Sequence, residues 1–369
     1  IMSTRVILAG GGTAGHIEPA LAVATELKKI DSEIQCEFLG TITGLENALV
    51  PGRGFPLRVI PKVAMPRELS LSIFLWPLRL IGSIGKCVRI MRGADVVVGF
   101  GGYVSASAYL AAVLLRIPII IHEANAKPGW ANRLGRFFAK KVCVNFQSVQ
   151  SKWSDSIHTG MPLRRDISEI SHLTPDQITE VRERKAREWG FDPSQPIVSV
   201  FGGSTGSERI NDAVAEYLIS RNGQAPQIAH AVGLHNTLPI TRTGYFATHY
   251  FHDIADVYVA SDLLICRSGA VTCAELAVVN RFAVLIPLPI GNGEQEANAD
   301  ELMARNSAMM VRNALFSGNW LQQNMSMALE KALSYRSVMR EIVVMPTAHT
   351  IAEMALAIAQ SKSRTGQSK

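Results

Sequence analysis

Two glycine-rich turns, each placed where a strand hands over to a helix, constrain this chain more than any other feature. The first, Gly10-Gly11-Gly12-Thr13-Ala14-Gly15-His16, follows the apolar run Val6–Ala9. The second, Gly202-Gly203-Ser204-Thr205-Gly206, follows Ile197–Phe201. Lacking Cβ atoms, such turns let the backbone approach phosphate oxygens, and the helix that follows points its free N–H groups and positive end at them. One turn of this kind is weak evidence. One in each half of the chain predicts two nucleotide-type α/β domains facing each other across a cleft.

At 369 residues the chain exceeds one compact core, which agrees with two domains. Between the turns, short and fully apolar strand candidates alternate with helical stretches, the signature of parallel sheets covered on both faces. In the first half the strands are Val6–Ala9, Ile34–Leu39, Asp95–Val98, Ile117–Ile121 and Val142–Val144, with helices at Ala20–Lys29 and Gly44–Val50. In the second half they are Ile197–Phe201, Ile228–Val232, Leu263–Cys266, Phe282–Pro287 and Ala308–Val311, with helices at Val271–Val279 and Asn298–Arg305. Thr159–Pro162 and the charged stretch Ser171–Trp189 mark the break. The expected architecture is a pair of Rossmann-like α/β domains.

The N-terminus has no basic region followed by an apolar stretch, so no signal peptide is expected. The longest apolar stretch, Ala106–Ile121, is interrupted by Arg116 and Pro118, so no membrane span is expected either. The five cysteines form no Cys-x-x-Cys pair, and reduced thiols in a cytoplasmic protein are expected.

The first turn fits the dinucleotide spacing Gly10-x-Gly12-x-x-Gly15. An NAD-linked oxidoreductase would also need an acid at the end of the second strand to hold a ribose. That place holds Leu39-Gly40-Thr41, which counts against it. His16 lies in the first helical turn, beside whatever anion binds there, where its neutral form is favoured as a general base or hydrogen-bond donor. Three more polar clusters follow predicted strands, where open α/β sheets place their ligands. They are Gly99–Ser105, His122–Asn125 and Arg267–Glu275. Glu275 is placed to accept hydrogen bonds from a sugar diol, or else caps its own helix. Gln295 and Asn298, three residues apart, share a helix face and offer amides to neutral hydroxyls. No metal-ligand spacing occurs, so no protein-held metal is expected.

Charge is unevenly shared. Residues 1–159 carry 18 Lys and Arg against 10 acids, and the remainder 19 against 21. An anionic partner is therefore expected for the first half. Between Arg53 and Arg92 eight cations face one acid, Glu68, around Ile73-Phe74-Leu75-Trp76-Pro77-Leu78-Arg79. This segment reads either as an anionic-membrane surface, with Ile73, Phe74, Leu75, Trp76 and Arg79 at the interface, or as a buried helix with solvated basic ends. A nucleic-acid partner is not expected, since aromatics are few and no recognition motif is present.

Taken in order, Gly11–Ala20, Gly44-Leu45-Glu46, Gly101–Ser105, His122–Asn125, Gly160–Arg164, Gly202-Gly203-Ser204, Arg267–Thr272 and Gly293-Glu294-Gln295 resemble the MurG family over nearly the whole chain. These glycosyltransferases add N-acetylglucosamine to undecaprenyl-pyrophosphoryl-muramyl-pentapeptide, converting lipid I to lipid II in peptidoglycan synthesis at the cytoplasmic face of the membrane. The resemblance implies a GT-B fold. Its acceptor and membrane domain would span residues 1–160 plus a returning helix at about 345–362, and its donor domain 161–344. It implies UDP-N-acetylglucosamine as donor substrate, no cofactor, and a polyprenyl-pyrophosphoryl-muramyl-peptide acceptor.

By that resemblance Arg164, Ser204, Ile254, Ala270, Val271, Thr272 and Glu275 line the nucleotide pocket, and Gln295 and Asn298 hold the sugar. Thr13, Ala14, Gly15 and Asn125 would close on the donor, and Gly12, Tyr103 and Ser105 would meet the acceptor. His16 leads as the base that deprotonates the acceptor hydroxyl, followed by Glu123 and His122. Alternatively the first turn would cradle the acceptor pyrophosphate, giving His16 a binding role. The family often has Gly at Ala14, Ala at Ser207, and an uncharged or basic residue at Glu296. Another UDP-sugar-dependent GT-B enzyme acting on a glycolipid is the alternative reading.

Overall fold

Every named strand among the described residues is parallel to its neighbours, because nearly every one is followed by a helix that carries the chain back to the starting edge; β9 and β10 are joined by a loop instead. The computed structural model describes residues 3–63, 72–220, 225–337 and 342–366, and of these the side chains of all but 72–75 and 362–366. The chain divides into two units, residues 1–164 with 345–369, and residues 165–344.

The first unit runs β1 (Arg5–Ala9), α1 (Ala14–Ile30), β2 (Gln35–Gly40), α2 (Glu46–Gly52), β3 (Leu57–Val59), α3 (Ser72–Met91), β4 (Val96–Gly99), α4 (Gly102–Leu115), β5 (Ile119–Glu123), α5 (Trp130–Gly135), β6 (Lys141–Val144), α6 (Gln147–Gln150) and β7 (Ile157–His158). The second runs α7 (Arg165–Ser168), α8 (Pro175–Trp189), β8 (Ile197–Phe201), α9 (Glu208–Ser220), β9 (Gln227–Ala231), β10 (Tyr245–Thr248), α10 (Ile254–Ala260), β11 (Leu263–Cys266), α11 (Ala270–Val279), β12 (Ala283–Leu285), α12 (Glu294–Ala304), β13 (Ala308–Met310) and α13 (Gly318–Ser337). A last helix, α14 (Thr347–Gly366), belongs to the first unit.

The first sheet has strand order β3-β2-β1-β4-β5-β6-β7 and the second β10-β9-β8-β11-β12-β13. Each is a Rossmann-type sheet whose order reverses between its first and fourth strands, so each has a switch point where ligands of open α/β sheets bind. β1 and β8, the strands that precede the two glycine turns, both lie at these switch points.

α14 packs on α1. Ile351, Ala352 and Ala355 are fully buried in the same core as Ile17, Ala20 and Ala24. Small residues on both helices allow a close approach. The charged stretch before β8 is itself helical: α8 carries a capping box, with Thr174 and Gln177 each bonded to the other's backbone, and Pro175 opens its first turn.

Two outcomes follow from this packing. Ile351→Ala should destabilise the first unit by about 2–5 kcal/mol, read as a lowered urea midpoint, and an unchanged midpoint would show that α14 is not part of its core. In the second unit, His230 is buried with Nδ1 3.1 Å from Tyr245 Oη and Nε2 3.0 Å from Asn211 Oδ1. Burial pushes its pKa down from 6.5 to about 4. The unfolded chain therefore takes up this proton first as pH falls. The stability tied to neutral His230 is complete above pH 6.5 and is lost progressively toward pH 4. His230→Gln should flatten the fall of the urea midpoint across that window; equal slopes would rule this out.

Candidate active site

In the first unit the β1–α1 and β4–α4 turns nest against each other at the switch point. A Cβ on Gly102 would lie 2.9 Å from the Gly11 carbonyl oxygen, and one on Gly101 would lie 3.2 Å from His16 Nε2. Both glycines have positive φ, 97° at Gly101 and 81° at Gly102. Neither α1, behind Thr13, nor α4, behind Gly101, has a side-chain cap or an acid in its first turn. Two positive helix ends are thereby set side by side. His16, in the first turn of α1, is half-buried, with Nδ1 3.2 Å from Thr13 Oγ1. Burial lowers its pKa below the ordinary imidazole value, opposed by a hydrogen bond to the Gly11 backbone and by the charge of Glu46. Gly12 and Thr13 are exposed, and Ala14, Gly15, Tyr103 and Asn125 are half-buried.

Three expected contacts are corrected here. β5 runs to Glu123, two residues beyond the apolar run Ile117–Ile121, so His122 and Glu123 are strand residues and both are buried. His122 Nε2 lies 2.9 Å from the Gly160 oxygen, and burial pushes its pKa down to about 4. Enclosed in this way, it does not reach a substrate hydroxyl. Glu123, only 2% exposed, accepts from the Asn125 and Gly129 amides at 2.9 and 3.1 Å and from Asn132 Nδ2 at 3.0 Å. Burial pushes it up to about 7, against those bonds. Its geometry is that of an anchor for the loop carrying Asn125, not of an open base. Ser105 is fully buried, and its hydroxyl bonds the Ala9 and Gly101 carbonyls, both at 2.8 Å. It fastens the two turns together and offers nothing to an acceptor.

In the second unit the glycine turn and the uncapped helix end lie on neighbouring connections, β8–α9 and β11–α11, and α9 itself has Glu208 in its first turn and Ser207 Oγ accepting from Ile210 N at 3.3 Å. Gly203 and Gly206 have φ of 91° and 79°, and a Cβ on Gly206 would lie 2.0 Å from the Val232 oxygen. The Ser204 carbonyl accepts from Leu234 N at 3.1 Å. α11 starts behind Gly269 with no side-chain cap and no acid in its first turn, so the amides of Ala270, Val271 and Thr272 form its positive end. Glu275 lies one turn on, and its Oε2 accepts from Tyr258 Oη at 2.7 Å. Ile254, half-buried, opens α10, and Arg164, also half-buried, closes the first unit's main segment.

On α12, Gln295 Oε1 accepts from Leu288 N at 2.9 Å and its carbonyl from Ser268 Oγ at 2.7 Å. Asn298 Nδ2 donates to the Ser268 carbonyl at 3.3 Å. Asn298 is 1% exposed and fastens α12 to the β11–α11 turn through Nδ2. Gln295 remains half-buried and Glu296 exposed.

Two residues that build these edges, Arg267 and Tyr109, are assigned no role of their own by the sequence. Arg267, nearly buried, donates to the Ile286 carbonyl at 2.9 Å, to Asn313 Oδ1 at 2.7 Å and to Ser207 Oγ at 2.6 Å. Ser207, where the family often has Ala, thus takes an arginine bond that Ala cannot. Tyr109, fully buried, donates to Asn132 Oδ1 at 2.7 Å. An arginine following a wholly apolar strand was the available signal for the first; nothing in the spacing marked the second. Among the described residues, no three His, Cys, Asp or Glu side chains gather as a metal site would.

Ile73, Phe74 and Leu75 lie on α3, but their side chains are outside the described residues. Trp76 is half-buried and Arg79 is exposed. Among the described side chains of α3, the large apolar ones that are exposed are Leu78 and Ile81, at 65% and 63%. Phe137, 83% exposed, belongs to the same unit.

Residues 6–144 match the glycosyltransferase family 28 N-terminal domain and residues 197–355 its C-terminal domain. The UDP-N-acetylglucosamine–N-acetylmuramyl-(pentapeptide) pyrophosphoryl-undecaprenol N-acetylglucosamine transferase of Frankia casuarinae is 43% identical over 88% of this chain and 86% of its own. The enzyme of that name from Corynebacterium diphtheriae is 38% identical over 98% of both. The crystal structure of Acinetobacter baumannii MurG matches with a TM-score of 0.69 and 26% identity, covering 96% of this chain and 99% of that one. The kitacinnamycin glycosyltransferase, at 12% identity and a TM-score of 0.66, shares the fold. With two glycine-turned Rossmann-like units and relatives of this closeness over nearly its full length, the chain belongs to glycosyltransferase family 28 and, within it, to the MurG family of GT-B enzymes.

Proposed function

We propose that this protein moves N-acetylglucosamine from UDP-N-acetylglucosamine to the C4 hydroxyl of the muramyl sugar in a polyprenyl-pyrophosphoryl-muramyl-pentapeptide, with inversion at the anomeric carbon. The observation that carries the reading is that each unit sets a glycine turn and at least one helix start with neither side-chain cap nor acid at its switch point, α1 and α4 in the first and α11 in the second. Such ends suit a diphosphate, and donor and acceptor each bring one.

In the second unit, the amides of Ala270–Thr272 and the turn at Ser204 take the UDP diphosphate. Glu275, oriented by Tyr258, accepts from the ribose hydroxyls, and Gln295 meets the sugar. The same dipoles stabilise the negative charge that grows on UDP as it departs. No protein-held metal is invoked. In the first unit, the ends of α1 and α4, with Gly12 and Tyr103 beside them, take the acceptor pyrophosphate. His16 receives the C4 proton as the oxygen closes on the anomeric carbon. A base must be unprotonated to act, and burial favours that form of His16 near neutral pH.

The protein acts as a peripheral enzyme at the cytoplasmic face of the membrane. No helix among the described residues is long and apolar enough to cross a membrane. Leu78 and Ile81, one turn apart on α3 and flanked by exposed Arg79 and Lys86, form an apolar patch with a basic rim suited to anionic lipid.

Transfer of labelled N-acetylglucosamine to the lipid-linked muramyl peptide tests the reading directly; no transfer, with tight NAD binding, would overturn it. His16→Ala should lower kcat by about 10²–10⁴, and the wild-type rate should decline on the acid side only below the ordinary imidazole range. A near-normal rate would remove His16 as the base. Leu78→Ser with Ile81→Ser should weaken flotation with anionic liposomes while sparing transfer to a water-soluble acceptor. Undiminished flotation would show that lipid binds elsewhere.

A further inference from the structure

A fully buried carboxylate lies behind the first glycine turn, outside every role assigned above. Glu46 opens α2, and its Oε1 accepts from Thr41 N at 2.7 Å and Thr41 Oγ1 at 3.0 Å, while its Oε2 accepts from Gly12 N at 3.0 Å. Three glycines make room for it. A Cβ on Gly11 would lie 2.9 Å from Glu46 Oε1, one on Gly40 2.5 Å from its Cγ, and one on Gly44 1.9 Å from its Oε2. Turn, strand end and helix start are shaped around this one side chain.

We propose that Glu46 is a positioning residue for transfer: it fixes the β1–α1 turn through Gly12, and with it the place of His16. The proposal rests on the reading of His16 as the proton acceptor. Glu46 is the carboxylate whose charge acts on His16, favouring its protonated form. Glu18, two residues along α1, lies 3.8 Å from Arg53 at the end of α2. The β4–α4 turn brings Gly101 and Gly102 against the imidazole, with the Asn132 amide beside Gly101 and Glu123 bonded behind it. Loss of Glu46 should therefore act on the imidazole in two separable ways, through the turn's geometry and through charge.

Glu46→Gln separates these from a plain structural role. Its amide oxygen can still accept from Thr41, but its NH₂ would meet the Gly12 N–H donor to donor, and the charge is gone. The expected result is a kcat about 10- to 100-fold lower, as small misplacements of reacting groups produce, with UDP affinity by calorimetry unchanged. The acid limb of the rate profile should also move to lower pH by roughly half a unit or more. Glu46→Asp should return the limb toward its wild-type position, because the charge is restored, while leaving kcat reduced.

Unaltered kcat and acid limb in Glu46→Gln overturn the proposal. So does lost turnover accompanied by lost UDP affinity and an unmoved acid limb, which marks a structural role alone. Should Glu46→Gln fail to fold, Thr41→Val takes its place: removing one donor to Oε1 should lower kcat with UDP affinity intact, and an unchanged kcat overturns the proposal. A wild-type chain that transfers no N-acetylglucosamine overturns both this inference and the function it rests on. An active wild type matched by Glu46→Gln overturns this inference alone.

Discussion

The contact on which the first unit's site depends is the touch between two backbones, that of Gly102 against the carbonyl of Gly11. With 2.9 Å between that oxygen and the place a Cβ would take, any larger residue at Gly102 pushes the β1–α1 and β4–α4 turns apart. Their closeness puts the starts of α1 and α4 on the same side of the switch point. Each uncapped helix end is worth about 0.3–1 kcal/mol to a nearby anion at an exposed surface. The larger benefit is that the amides are already aimed, so a diphosphate meets no reorganisation on arrival. His16 is carried by the same turn, and its place is set by backbone packing before any substrate contact is made.

Around these turns the protein spends buried polar groups as fasteners. Ser105 ties the end of β1 to the β4–α4 turn, Glu123 holds the loop after β5, Arg267 bridges the β8–α9 turn to β12, and Asn298 holds α12 to the β11–α11 turn. A buried donor or acceptor that loses its partner costs about 1–3 kcal/mol, more than the net gain from a typical bond formed on folding. Such groups therefore enforce one loop geometry more than they add stability. Their polarity looks like ligand chemistry in a sequence, and burial is what distinguishes them.

That difference explains which parts of the molecule were legible. The doubled fold was readable because apolar β-branched runs and glycine turns are local signals, and the two sheets contain every strand those runs predict. The strands β3, β7 and β10 were not foreseen: they are short edge strands with mixed exposure, formed by tertiary pairing. α8 was obscured because its charged, solvated face outweighs its apolar one. Among candidate site residues, those in turns and first helical turns, such as His16, Thr13 and Ala270–Thr272, sit at helix ends as their spacing implies. His122 and Glu123 were misplaced by the two residues that β5 gains in pairing with β6, where His122 and Glu123 lie opposite Cys143 and Val144. Ser105 could not be told from a ligand contact without knowing which way its side chain faces.

The same logic answers the dinucleotide spacing of the first turn. A nucleotide fold that holds a ribose places its acid at the end of the second strand. Here Gly40 ends β2, and the space its missing side chain leaves is filled by Glu46 arriving from α2. That carboxylate is turned inward, and three donors of the protein's own backbone and side chain occupy it. A ribose would have to displace those bonds and open a core in which Glu46 is fully buried. The fold thus keeps an acid in the old neighbourhood but converts it from a ligand holder into a turn holder. What remains facing outward is a pair of positive helix ends and an imidazole, a set matched to a phosphorylated substrate, with no free acid left to hold a nicotinamide nucleotide's ribose.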